Sequence, residues 1–207
     1  MKNNDSGRLV YMNGNYVSEK DAKISIFDSA LMFGDMVFEM TRSFNKKHFK
    51  LKEHLERLLY GVKIYRIPLD LNINDLEKIC LETAEKNNKF FGPTDEHRLM
   101  INVSRGPLGI YAPIFNNKIE PTLVVADFPL KWTVASMGKL YDEGINAVLV
   151  NQRAIPAHLM DPKIKNRSRV FYQMANIEAS MFEGKNNWAL MMDTDGFIAE
   201  GSGDNFF

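Results

Sequence analysis

The sequence predicts a mixed α+β protein of two domains, and three observations carry that prediction. Strand-like and helix-like stretches mix without strict alternation, which disfavours a regular doubly wound sheet. The 207 residues, 45% of them hydrophobic, are enough for one large core or two small ones. The stretch Asp127 to Val134 reads as a linker, dividing an N-terminal α/β domain over residues 1–129 from a second domain over 130–207.

The elements follow in order. Leu9 to Met12 and Asn15 to Val17 flank Asn13-Gly14, which predicts a hairpin with a type I′ turn. Met36 to Phe44 reads as a strand, with His48 to Leu51 as its return. Leu55, Leu58, Leu59 and Val62 fall on one helical face, and Pro68 ends that helix. A second helix is predicted from about Asn74 to Asn88, with Asn74 and Glu77 as a capping box. Leu99 to Val103 and Thr122 to Ala126 read as strands, and Ala147 to Val150 as a short apolar one. Val170, Phe171, Met174 and Ile177 mark a helix. Trp188 to Met192 and Phe197 to Ala199 form a hairpin around Asp195-Gly196. The chain stops at Asn205-Phe206-Phe207, inside an apolar strand, so we expect the second domain to be incomplete.

Composition narrows the function. With 26 Lys and Arg against 26 Asp and Glu, the chain lacks the basic excess of a nucleic-acid binder. No apolar run approaches the roughly 20 residues that cross a bilayer, and the opening Met1 to Gly7 is polar, unlike a signal peptide. A lone Cys80 cannot form an internal disulfide, which points to a reducing cytoplasm. No His/Cys cluster suggests a metal.

Three segments carry chemistry. Asp161-Pro162-Lys163-Ile164-Lys165-Asn166-Arg167-Ser168-Arg169 reads as a loop entering a helix. A lysine there would feel the helix N-terminus and nearby arginines, which lowers its pKa as an amine nucleophile requires. Taken alone, such a run reads most simply as solvated surface. Glu200-Gly201-Ser202-Gly203-Asp204-Asn205 places a carboxylate at a strand end before a flexible turn, suited to a flat ligand or simply to an exposed hairpin end. In His54-Leu55-Glu56-Arg57-Leu58, Arg57 stands beside the apolar helix face, able to meet either a phosphate or a carboxylate.

Together these segments resemble the class IV, or fold type IV, aminotransferases that use pyridoxal 5′-phosphate. The resemblance runs from Tyr11-Met12-Asn13-Gly14 through Leu31 to Glu39, His54 to Leu58 and Lys63 to Pro68. It closes with Ile164-Lys165-Asn166 and Glu200 to Phe206. It implies that Lys165 is the Schiff-base lysine and proton shuttle, with Lys163 the nearest rival. By the same resemblance Arg57 holds the phosphate and Glu200 faces the pyridine nitrogen. The cofactor is expected between the two domains, in a homodimer. Phe38, Arg98 and Arg169 are the expected substrate contacts, the arginines as candidates for the carboxylate. The implied reaction is transamination of an amino acid, of branched-chain type, with a 2-oxo acid such as 2-oxoglutarate. An aminodeoxychorismate lyase-like activity and a non-catalytic fragment of the same fold are the alternatives.

The match departs from the branched-chain enzymes after the lysine. Asn166-Arg167-Ser168-Arg169-Val170 replaces their Gly-Gly-Asn-Tyr, and the spacing to Glu178-Ala179 is one residue shorter, closer to the D-amino-acid and (R)-amine transaminases. Ile110 and Ala112 stand where the D-amino-acid enzymes carry an Arg and a His. The family's glycine-threonine phosphate loop has no counterpart in these residues, so Arg57 alone would bind a phosphate weakly.

Overall fold

The computed structural model describes residues 7–207; the polar opening over residues 1–6 lies outside them. The chain divides into two compact units. One holds the chain up to Trp132 together with Lys163–Ser168, and the other holds Thr133–Pro162 and Arg169–Phe207.

The first unit contains β1 (Leu9–Met12), β2 (Asn15–Ser18), a short α1 (Ser29–Phe33), β3 (Met36–Phe44) and β4 (Lys47–His48). Then come α2 (Leu51–Ile64), α3 (Ile73–Asn87), β5 (His97–Ser104), a 3-10 stretch at Gly109–Phe115 and β6 (Thr122–Pro129). The six strands form one antiparallel sheet in the order β2-β1-β6-β5-β3-β4. Asn13 and Gly14 both have positive φ, as the predicted type I′ turn requires.

Helices α2 and α3 cover one face of the sheet. Leu55, Leu58 and Val62 of α2 and Leu76 and Cys80 of α3 pack against Val37, Leu99, Ile101, Val103 and Val125. Strand alternation fixes which residues reach this core. On β3, Val37, Glu39, Thr41 and Ser43 are all buried, while Met40, Arg42 and Phe44 on the other face are not.

Three local readings are corrected. The N-cap of α3 is Asn72, not Asn74: its side chain accepts from the backbone N–H groups of Asn74 and Asp75, and Asp75 completes the capping box. Periodicity fixes a helix face but not its first residue. The return after β3 is only Lys47–His48, because Leu51 already begins α2. Residues 127–129 are not linker but the end of β6, where Asp127 is buried opposite Leu99.

The division falls within a short helix α4 (Lys131–Val134), and the second unit then contains a short α5 (Leu140–Glu143), β7 (Asn146–Arg153), α6 (Val170–Ser180), β8 (Asn187–Met192) and β9 (Ile198–Gly201). Strand β7 pairs parallel to β8, and β8 antiparallel to β9. Ala175 and Ala179 of α6 pack on Val150, Ala189 and Met191. Small alanines let the helix approach the sheet closely.

Candidate active site

Lys165 lies in the strip Lys163–Ser168, which returns to the first unit after the chain has left it at Trp132. The strip runs beside β3. Phe38 N–H donates to the Lys165 carbonyl at 2.9 Å, Arg167 N–H donates to the Met36 carbonyl at 2.9 Å, and Asn166 bridges Val37. Ile164 anchors it in the core. At the far end Ser168 lies so close to Gly34 that a Cβ there would stand 2.6 Å from its Oγ, and Gly34 has φ +66°, which favours glycine twice over. The strip is followed by helix α6, which begins at Val170 as the sequence predicts.

The side chains over Phe38 form the first group. Lys165 Nζ stands 5.1 Å from the Phe38 ring centroid and Arg167 Cζ 3.7 Å from it, both as cation–π contacts. The Asn102 amide oxygen accepts from Arg167 Nη2 at 3.0 Å and Nε at 3.3 Å. Phe38 pairs with Asn102 in the sheet, and Arg42 pairs with Arg98 two pleats further along the same face. Burial and then the Arg42 charge pull the Arg98 pKa down. Lys165, Phe38 and Arg98 therefore share one face of one sheet, with Arg98 set apart by the Met40–Met100 pair.

Arg57 belongs to the helix-covered side. Its Nη2 donates to Glu39 Oε2 at 2.8 Å and its Nε to Oε1, while His54 Nδ1 stands 2.7 Å from Oε2. Glu39 has no exposed side-chain surface, whereas 46% of the Arg57 side chain is exposed. Burial alone would raise the Glu39 pKa, but the bonds from His54 and Arg57 outweigh it and hold the carboxyl below its usual range.

The second unit holds Glu200 and Arg169. Glu200 lies near the end of β9, paired to Met191. Burial and then the nearby Glu200 carboxylate push the Tyr172 pKa up to about 12. Arg169 Cζ lies 4.3 Å over the Tyr172 ring, and its Nη2 donates to the Ser202 carbonyl at 3.1 Å.

Sequence reasoning passed over Glu39, Arg167 and Tyr172 as site residues. A signal existed for Glu39, because alternation from Val37 puts an acid on a core-facing position, where a carboxylate needs partners. For Arg167 and Tyr172 the sequence offered only a basic run and an apolar helix.

The Amino-transferase class IV family model matches residues 36–207. The chain belongs to the class IV aminotransferases. A protein of Methanocaldococcus jannaschii, provisionally named a branched-chain-amino-acid aminotransferase, is 34% identical over 199 residues, covering 96% of this chain and 64% of that protein. A D-alanine aminotransferase of Staphylococcus epidermidis is 35% identical over 133 residues, 64% of this chain and 42% of that one. Among solved structures, the branched-chain aminotransferase of the archaeon Thermoproteus uzoniensis with norvaline superposes with a TM-score of 0.76. It is 25% identical, over 95% of this chain and 63% of the other. This class IV chain thus has the mixed α/β fold of the type IV aminotransferases and spans just under two thirds of the length of such relatives.

Proposed function

We propose that this class IV chain acts in pyridoxal-phosphate-dependent transamination, moving an amino group from an amino acid of branched-chain type to a 2-oxo acid such as 2-oxoglutarate. The observation that carries the reading is Lys165, held by backbone bonds beside β3 with its amine over Phe38. The residue types suit the cofactor: in the first unit a tethered primary amine and a half-exposed arginine on a buried acid, and in the second a carboxylate near a phenol. The cofactor supplies an electron-withdrawing ring that stabilises negative charge at the substrate Cα.

The remaining roles belong to this chain's residues. Lys165 is the amine that secures the cofactor and moves the proton at the substrate Cα. Arg57 meets the phosphate as a planar, permanently charged donor. Glu200 keeps a proton on the ring nitrogen. Phe38 provides an apolar wall, and Arg98 and Arg169 are the candidate partners of the substrate carboxylate. The reading places the protein in the cytoplasm as a homodimer, which light scattering tests. The branched-chain donor rests on the relatives' names and on Phe38; a D-amino-acid donor is the second reading, favoured by the spacing after Lys165 and by the D-alanine relative.

The test is borohydride reduction of the 207-residue chain in the presence of pyridoxal phosphate, followed by peptide mapping. The pyridoxyl mass should sit on Lys165. Finding it on Lys163, which is exposed, would overturn the assignment. An absorbance scan with L- and D-amino acids then identifies the donor.

A further inference from the structure

Glu39 has no role in the reading above, yet both of its carboxylate oxygens are engaged. Arg57 Nε donates to Oε1, and Arg57 Nη2 and His54 Nδ1 converge on Oε2 at 2.8 and 2.7 Å. His54 and Arg57 stand three residues apart on α2, which puts both on one helix face. The acid sits on a core-facing position of β3, among residues that are otherwise apolar or hydroxylic.

This grip has a direction. A guanidinium carries five N–H donors in a fixed plane. Glu39 takes the Nε–Nη2 edge and leaves the Nη1 end of the plane away from that acid, on a side chain that is 46% exposed. A long side chain on a helix surface would otherwise sample many rotamers. Here the plane is fixed before any anion arrives, the condition for two-point recognition of a phosphate.

We propose that Glu39 is a positioning residue, which orients the Arg57 guanidinium toward the phosphate group of a phosphorylated pyridine cofactor. The inference rests on the assignment of Arg57 to that phosphate. It also has a sign that a charge argument does not share. Glu39 is an anion beside an anion site, so on charge alone its removal would tighten phosphate binding. On positioning, its removal loosens binding, because Arg57 must then be ordered by the ligand.

The experiment is a fluorescence titration of the 207-residue chain with pyridoxamine 5′-phosphate and with pyridoxamine, which differ only in the phosphate. The readout is the ratio of the two affinities, which a general loss of structure does not move selectively. Arg57→Ala should abolish the preference for the phosphorylated ligand. Glu39→Gln should lower the ratio about tenfold, the cost of ordering one rotamer-rich side chain, with pyridoxamine affinity unchanged. An unchanged or increased ratio in Glu39→Gln, with the ratio lost in Arg57→Ala, overturns the positioning role and leaves the Arg57 assignment intact. If Arg57→Ala keeps the preference, the Arg57 assignment fails and this inference falls with it. Should a melting curve show Glu39→Gln unfolded, Glu39→Asp keeps the charge but is one carbon too short for the double grip. The same fall is expected there, and an unchanged ratio overturns the proposal.

Discussion

Two acids lie on the helix-covered face of the same sheet, and their fates differ. Glu39 on β3 and Asp127 on β6 are both shut from solvent at the side chain. Glu39 has both oxygens bonded, by Arg57 and His54. Asp127 has His97 Nδ1 at 2.8 Å on one oxygen, and its Oδ1 has no hydrogen-bond partner among the described residues. Burial raises the Asp127 pKa, and the His97 bond only partly offsets it. Burial acts on Glu39 in the same sense, and there the bonds from His54 and Arg57 win. Burial alone therefore does not decide the charge state of a core carboxylate; the number and planarity of its donors do.

Several measurements can break or sharpen this contrast. The largest effect is expected from Arg57→Met, which strands the Glu39 carboxylate with His54 alone. A loss of about 3 kcal/mol in urea unfolding is expected, the lower end for an uncompensated buried charge. A loss below half of that would mean Glu39 takes up a proton at little cost. Asp127→Asn should act in the opposite direction, because it removes a charge that is only half satisfied while keeping the shape. A gain of about 1 kcal/mol at pH 7 is expected, and a clear loss would show that the His97–Asp127 pair is ionic and stabilising.

The pH dependence should separate the two acids by sign. The folded pKa of Glu39 is depressed, so its stabilisation is present above the unfolded value of 4.5 and lost as pH falls through the folded value. The folded pKa of Asp127 is raised, so its penalty is absent below the unfolded value of 3.8 and grows as pH rises through the folded value. Urea midpoints measured from pH 3 to 7 should therefore give a difference between wild type and Glu39→Gln that shrinks on acidification. The difference between Asp127→Asn and wild type should also shrink, with the variant as the more stable partner. Like signs in the two comparisons would reject the contrast. The smallest effect is expected from His54→Gln, about 0.5 kcal/mol, since Arg57 keeps both carboxylate oxygens engaged.

The sequence made this pair only partly legible. Apolar periodicity located α2, and Arg57 was visible beside its apolar face. Glu39 was hidden because Met36 to Phe44 was read as a strand without asking which face its acid took. Asp127 was misread altogether: Asp and Pro next to Phe128 look like a chain break, and only cross-strand pairing with β5 shows otherwise. The cap of α3 slipped by two residues because several polar residues precede the helix, and all of them can cap. Lys165 was singled out from the motif, but its pairing beside β3 was not foreseen. A bridge to β3, more than 120 positions earlier in the chain, is non-local and leaves no trace in its neighbours.

That bridge also bears on how the gene can change. Residues 133–162 leave the first unit and the chain comes back at Lys163, where strand-like bonds to Met36 and Phe38 seize it. The position of the Lys165 amine is thus set at the point of re-entry and not by the length of the excursion. Closing a longer excursion costs little, roughly 0.6 kcal/mol for each doubling. Insertions and deletions between Thr133 and Pro162 should leave Lys165 where it is, while the loss of one residue between Ile164 and Ser168 would shift the register and turn the lysine to the opposite side.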